Sequence, residues 1–385
     1  MKRFLFVVPP FAGHVYPTVS VARHLAARGH HVAWAGHARA IGDLLPEGAE
    51  LIALDDEGSE NVAAHFIERA RRLRGLESLQ FLWQEMLFPL AKGMLPRLVD
   101  AIGQYAPDVV VADHQAIAGA LAARTLGVPF ATFCTTSASV VDPLSDLPKV
   151  KEWIDEQVAR LEREAGLEAS PSPDTSPSLV VVFSTEALVG GNGTWPAHFR
   201  FVGPSIQDRP DATPFPWEAL SATPRIFISL GTISADAGAD FYATASRALG
   251  DLDAQIILAA PPSLVPDPPS NFIVRERVPQ LKLLPHVDAV ICHAGHNTVC
   301  EALAHGVPLV VAPIRDDQPV VAQQVVRAGA GVRVRYGRLS FASLRDAVER
   351  VLGEPAFKRA ALRIRSSFDS AGGAVSAADA LLAMP

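Results

Sequence analysis

The chain has few cysteines. Cys134, Cys292 and Cys300 are the only three in 385 residues, with neither a CxxC pair for zinc nor an even-numbered disulfide framework. This points to a reducing compartment. It also lacks a block of one charge. The 34 basic residues stand against 41 acidic ones, for a net charge of −7, and without clustered positive charge the chain is a poor candidate for nucleic acid or an anionic membrane surface. No apolar stretch reaches the roughly 20 residues of a membrane span. The apolar start KRFLFVVPPFAG runs into Pro9, Pro10 and His14 rather than a small-residue cleavage site, so the chain reads as soluble and cytoplasmic. GxGxxG after a strand, GxxxxGK[ST] and GxSxG are all missing. Dinucleotide oxidoreductases, P-loop NTPases and elbow-type serine hydrolases therefore lose their main support.

Apolar residues are plentiful, at 49%, enough to offset the ordering entropy of a packed core and exclude a disordered chain. Arg3 to Val8 is a continuous apolar run, the pattern of a strand buried on both faces. The loop PPFAGH follows, and then Pro17 opens a helix that Gly29 ends, with a second strand at Val32 to Gly36. The grammar repeats with a strand at Asp108 to Ala112, a helix at Ala116 to Leu126 and a strand at Val128 to Phe133. Helical periodicity covers 61–103, where Phe66, Phe81, Trp83, Met86 and Phe88 read first as core. Gly166 to Ser178 (EASPSPDTSPS) reads as a surface loop or mobile segment, and the proline cluster from Pro204 to Trp217 as the interdomain linker.

Beyond that linker, strands at Arg225 to Leu230, Gln255 to Leu258, Phe272 to Val274, Ala289 to Cys292 and Pro308 to Ala312 alternate with helical segments. Alternation of this kind means parallel sheets with crossover helices. The two halves echo each other: Asp113 and His293 each close a strand that leads into a helix and then a GVP turn. The fold class is therefore α/β, with two Rossmann-like doubly wound domains facing across a cleft, where such sheets bind ligands outside their carboxyl ends.

After His293 comes AGHNT, which places Gly295, Asn297 and Thr298 at a helix start, where unpaired N–H groups and the positive dipole end suit a phosphate. Glu301 lies about one turn on, and Asp317-Gln318 opens another helix. A base-sugar-diphosphate needs such a set: donors for phosphate, a carboxylate for ribose, an acid–amide pair for hexose hydroxyls. His14 and Asp113 both follow strands of the first half, and the pair fits a general base with a carboxylate on its far nitrogen. The plain alternative for a lone histidine there is a helix cap. Asp251-Leu252-Asp253 matches a metal-binding DxD, but its place between a helix and a strand reads as a solvated turn. The HxxH spacing of His293 and His296 has no further ligand, so no metal site is expected.

These segments resemble a known family. The run from Val278-Pro279-Gln280 through HAGHNTVCEALAHGVPLVVAP to Asp316-Asp317-Gln318-Pro319, with SLGT at Ser229 to Thr232 and GHVYP at Gly13 to Pro17, is similar to the family 1 UDP-glycosyltransferases, in their bacterial macrolide and polyketide branch. Glutamate falls eight positions after the signature histidine, as in that family. The resemblance implies a GT-B fold and an inverting, metal-independent enzyme without a cofactor. It would move a hexose, glucose foremost, from a UDP- or dTDP-sugar to a hydroxyl of a lipophilic natural product. It further implies His14 as base and Asp113 as its partner. Thr232, His293, Gly295, Asn297 and Thr298 would hold the diphosphate, Glu301 the ribose, Asp317 and Gln318 the sugar, and Val278 and Gln280 would lie near the nucleobase. Arg277 stands where many relatives have a tryptophan stacked on uracil; a guanidinium also stacks, which leaves uridine and thymidine open. Phe66, Phe81, Trp83 and Phe88, with the segment from Ser137 to Leu147, become candidate acceptor walls.

The implied division is an acceptor half at 1–205, a linker at 206–222, a donor half at 223–365, and a last helix at 366–385 returning to the first half. Three alternatives remain: a lipid-linked cell-wall N-acetylglucosaminyltransferase, a sugar-nucleotide epimerase, and a non-catalytic nucleotide-sugar-binding partner. The first carries a glycine-rich first loop where Pro9-Pro10-Phe11-Ala12 stands here.

Overall fold

The computed structural model describes residues 1–55, 69, 73, 75–141, 147–191, 195–206, 213–221, 224–231 and 238–385. They form two wholly parallel sheets. The first has seven strands: β1 (Arg3–Val7), β2 (His31–Gly36), β3 (Glu50–Ala53), β4 (Val109–Asp113), β5 (Phe130–Cys134), β6 (Val180–Val182) and β7 (Phe199–Phe201). The second has six: β8 (Arg225–Ser229), β9 (Gln255–Ala259), β10 (Phe272–Arg275), β11 (Ala289–Cys292), β12 (Leu309–Val311) and β13 (Gly331–Arg333). Their spatial orders are β3-β2-β1-β4-β5-β6-β7 and β10-β9-β8-β11-β12-β13. Counted from its own first strand, each sheet runs 3-2-1-4-5-6, with a seventh strand added at the far edge of the first. In both, the winding direction reverses between the first and fourth strands, which opens a crevice at their carboxyl ends.

The apolar runs explain the layers. β4 and β5 are buried along their whole length, so helices must cover both faces of the sheet. On one face lie Met94 and Leu98 of a helix at Phe88–Tyr105 and Leu121 of a helix at Ile117–Leu126. On the other lie Val15, Val19 and Leu25 of α1 (Ala12–Ala26). The chain's last helix, Gly373–Leu382, joins that same core through Ala377, Ala378 and Leu381. It is reached through Gly372 and Gly373, both at positive φ, which only glycine adopts without strain. Among the described residues no helix is long and apolar enough to cross a membrane.

Two local expectations are corrected. α1 begins at Ala12, so His14 lies in its first turn rather than in a loop, and Pro17 sits inside the helix. Pro17 has no N–H, which leaves the carbonyl four residues earlier, that of Gly13, without its usual helical donor. The serine- and proline-rich segment 166–178 is pinned rather than mobile. Glu162, buried and paired with Arg124 at 2.6 Å, accepts the Ser170 N–H. Thr132 Oγ1 donates to the Asp174 carbonyl, and the buried Ser176 hydroxyl donates to the Phe130 carbonyl.

Candidate active site

At the first switch point, β1 leads into His14 and β4 ends in Asp113. His14 Nδ1 lies 3.0 Å from both Asp113 oxygens. Thr135, just past β5, donates from Oγ1 to Asp113 Oδ2 at 2.6 Å and lies 2.7 Å from His14 Nδ1. The Gln115 N–H donates to Asp113 Oδ1 at 2.8 Å. Asp113 is thus an ionised acceptor, held below the ordinary carboxylate range: burial pushes it up, but the charges of His14 and His114 and the His14 and Thr135 hydrogen bonds outweigh it. His14 is shifted the opposite way. Burial pulls it down, while Asp113, through charge and hydrogen bond, and then Asp317 carry it above its ordinary value. An Nδ1–H fixed on Asp113 leaves Nε2 with a free lone pair, the tautomer a general base needs.

At the second switch point, β8 leads to Gly231 and β11 to His293. The His293 ring is wedged between two glycines: a Cβ on Gly231 would stand 2.6 Å from its Cε1, and one on Gly295 2.4 Å from its Nε2. Its Nδ1 is buried without a hydrogen-bond partner among the described residues. Burial drives the imidazole down to about 4, against weaker pulls from Asp317 and the Ser229 backbone. The adjoining Ala294 sits at φ 65, a left-handed conformation rare outside glycine. The helix that follows spans His296–Ala304 with Gly295 as an unaided N-cap, and its first internal bond runs from Val299 N–H to the Gly295 carbonyl. The N–H groups of His296, Asn297 and Thr298 therefore point outward from the helix start, a ready anion cradle.

The halves meet through polar contacts at these loops. Asn297 Nδ2 donates to the Gly13 carbonyl that Pro17 left open, at 3.2 Å. Thr136 Oγ1 donates to Asp317 Oδ2 at 2.6 Å, and Ser78 Oγ to Asp316 Oδ1 at 2.7 Å. Deeper in, buried His296 takes the Ser137 N–H at Nδ1 and gives its Nε2–H to the Phe183 carbonyl, while Ser137 Oγ donates to Gln324 Oε1 at 2.5 Å. A narrow recess of about 20 Å³ lies between the halves, lined by Tyr16, Pro17 and Phe183 on one side and by Asn297 and Glu301 on the other.

The other candidate residues fall unevenly. Gln280 Nε2 donates to Glu301 Oε2 at 2.5 Å, so it orients that buried carboxylate. Val278 packs on the core of the second sheet, while Arg277 is exposed. Gln318 is buried and already uses its Oε1, which accepts the Ile314 and Arg315 N–H groups. Phe81 is buried, and Phe88 packs at a tilt on Trp83 and edge-on against Trp153 over the first core. None of these aromatics lines the recess. Phe66, Thr232 and the segment 142–146 lie outside the described residues. Asp251, of the DxD, is exposed and paired with Arg345. Sequence reasoning passed over Thr135, Thr136 and Gln324, and met Ser137 and His296 only as a segment end and as half of an HxxH pair; the packing of the two halves brings them to the cleft.

The chain matches 4'-demethylrebeccamycin synthase of Lentzea aerocolonigenes at 30% identity over 98% of both chains. It matches the NDP-glycosyltransferase YjiC of Bacillus subtilis at 30% identity over 96% of this chain and 94% of that one. The chain belongs to the family 1 glycosyltransferases. Residues 244–384 of this glycosyltransferase also match the erythromycin biosynthesis protein CIII-like C-terminal domain, a marker of the bacterial natural-product branch. Its fold is that of the calicheamicin glycosyltransferase CalG4, with a TM-score of 0.81 over 100% of this chain and 98% of that one at 24% identity. The architecture is GT-B.

Proposed function

We propose that this glycosyltransferase moves a hexose, glucose foremost, from a UDP- or dTDP-sugar to a hydroxyl of a lipophilic natural product, with inversion and without a metal. The observation that carries this reading is that the His14–Asp113 pair and the His293 anion cradle occupy the two switch points and are joined across the cleft by Asn297 and Gly13. His14 Nε2 takes the acceptor proton, and the oxygen then attacks the anomeric carbon from the face opposite the diphosphate. The N–H groups at the start of His296–Ala304, with His293 and Thr232, stabilise the leaving diphosphate, which removes the need for a divalent cation. Glu301 holds the ribose, Asp317 and Gln318 the hexose, and Arg277 and Val278 border the base. Residues 1–205 form the acceptor half and 223–365 the donor half, joined by 206–222, with 366–385 returning to the first. The names of the relatives, a rebeccamycin-type synthase and an NDP-glycosyltransferase, support the substrate classes.

The test is incubation with UDP- or dTDP-glucose, EDTA and a panel of phenolic and macrolide acceptors, read by mass spectrometry and anomeric NMR. An inverted glycoside is expected, and His14→Ala should lower its formation roughly 10³-fold while UDP binding is kept. Retained turnover in His14→Ala would remove it as the base. Donor turnover without acceptor would favour an epimerase, and binding without turnover an auxiliary protein.

A further inference from the structure

His114 directly follows Asp113 and has no part in the transfer proposed above. Its ring lies beside that of His14, with 5.5 Å between centroids, and its Nδ1 stands 3.6 Å from Asp113 Oδ1. One nitrogen from each histidine and one Asp113 oxygen fall within 4.8 Å of one another, the one such grouping of three or more His, Cys, Asp or Glu among the described residues. Two imidazoles and a carboxylate that converge in this way are the donor set of a three-ligand zinc-type site with a fourth position for water. Neighbouring groups hold the set in place: Thr135 Oγ1 and the Gln115 N–H on Asp113, and the Phe133 carbonyl 3.3 Å from His114 Nδ1. Outer contacts of this kind orient metal ligands.

We propose that His14, Asp113 and His114 form an inhibitory site for a zinc-class divalent cation. Tetrahedral ligands about 2.0 to 2.2 Å from zinc stand roughly 3.3 to 3.6 Å apart, close to the 3.0 Å between His14 Nδ1 and Asp113 and the 3.6 Å between His114 Nδ1 and Asp113. Both side chains keep access to solvent, at 15% and 11% exposure. The cation binds the lone pair of His14 Nδ1, and the proton held there moves to Nε2. That nitrogen is the one that accepts the acceptor's proton, so the base is silenced without any change in the donor half. The effect on rate rests on the reading of His14 as the base; the binding does not. A hard cation such as Mg²⁺, which favours oxygen ligands, is not held by this set.

The full-length chain, stripped of metal, is titrated with Zn²⁺ by calorimetry and with Co²⁺ by visible absorption, alongside His14→Ala and His114→Gln. One equivalent should bind, with affinity reduced about tenfold or more in each variant. In EDTA, His114→Gln should still transfer sugar, which also shows that it folds. It should need about ten times more Zn²⁺ for half-inhibition, and EDTA should restore the inhibited native enzyme. Absence of stoichiometric binding, equal binding by His114→Gln, or equal inhibition by Mg²⁺ overturns the proposal. A chain that binds Zn²⁺ through these residues but transfers nothing would sink the transferase reading and leave the site standing. One that transfers sugar yet binds no Zn²⁺ would do the reverse.

Discussion

Each switch point takes one residue from just beyond its sheet's first strand and one from the end of its fourth: His14 with Asp113 in the first half, Gly231 with His293 in the second. Both imidazoles are buried enough for desolvation to act strongly against their charged forms. His14 nonetheless ends above its ordinary value and His293 falls to about 4. The difference is the carboxylate. Where the fourth strand contributes Asp113, the histidine gains a partner for its cationic form; where the first strand contributes only glycine, the ring packs against backbone and stays neutral. One scaffold thus holds the same side chain raised at one switch point and neutral at the other.

The largest break in this comparison comes from Asp113→Asn. Because His14 is raised, kcat/KM of the native enzyme should fall as pH drops through a value above 6.5, where the ring becomes protonated. Without the carboxylate, burial is opposed only by the weaker pull of Asp317, so the acid limb should move to lower pH while the plateau falls roughly 10²-fold. A pH–rate profile with an unmoved limb would dissociate the pair. The middle effect belongs to His293→Ala, for which calorimetry should show UDP-glucose bound about tenfold more weakly, one lost hydrogen bond to a charged group. Since native His293 stays neutral down to about 4, UDP-glucose affinity should be flat between about pH 5 and pH 8; a rise on acidification would mean that it binds as a cation. The smallest effect is that of Asn297→Ala. Losing a half-exposed neutral contact to Gly13 should cost about 1 kcal/mol, seen as a few-fold rise in donor KM at constant kcat; a collapse of kcat would give Asn297 a larger part than spanning the cleft.

Much of this comparison is written in local patterns. The apolar runs FLFV, VVVA and AVIC mark buried parallel strands, and strand-closing polar residues mark ligand ends, so His14, Asp113, His293 and Glu301 were readable before any coordinates. Thr135 and Thr136 were not, and Ser137 was read only as the edge of an acceptor wall. They follow a strand with the same apolar look as its neighbours, and only its pairing beside β4 sets them against Asp113, Asp317 and His296. The segment 166–178 is a surface loop as its composition suggests, but it is pinned, and two of the hydrogen bonds that pin it reach back to Thr132 and Phe130, which are distant in sequence. Gln318 differs for a conformational reason: the loop turns left-handed at Asp316, φ 54, and folds the Ile314 and Arg315 N–H groups onto the Gln318 side-chain Oε1.

Pro17 has a further consequence. A helix ordinarily consumes its own carbonyls, so a neighbour that docks against its flank finds nothing to hold. With a proline at this position, α1 cannot close the Gly13 bond in any thermal fluctuation, and the Asn297 amide meets no competing N–H from that residue. The residue acts as an alignment key. It holds the halves in one register, with the first turn that carries His14 set against the helix start at His296.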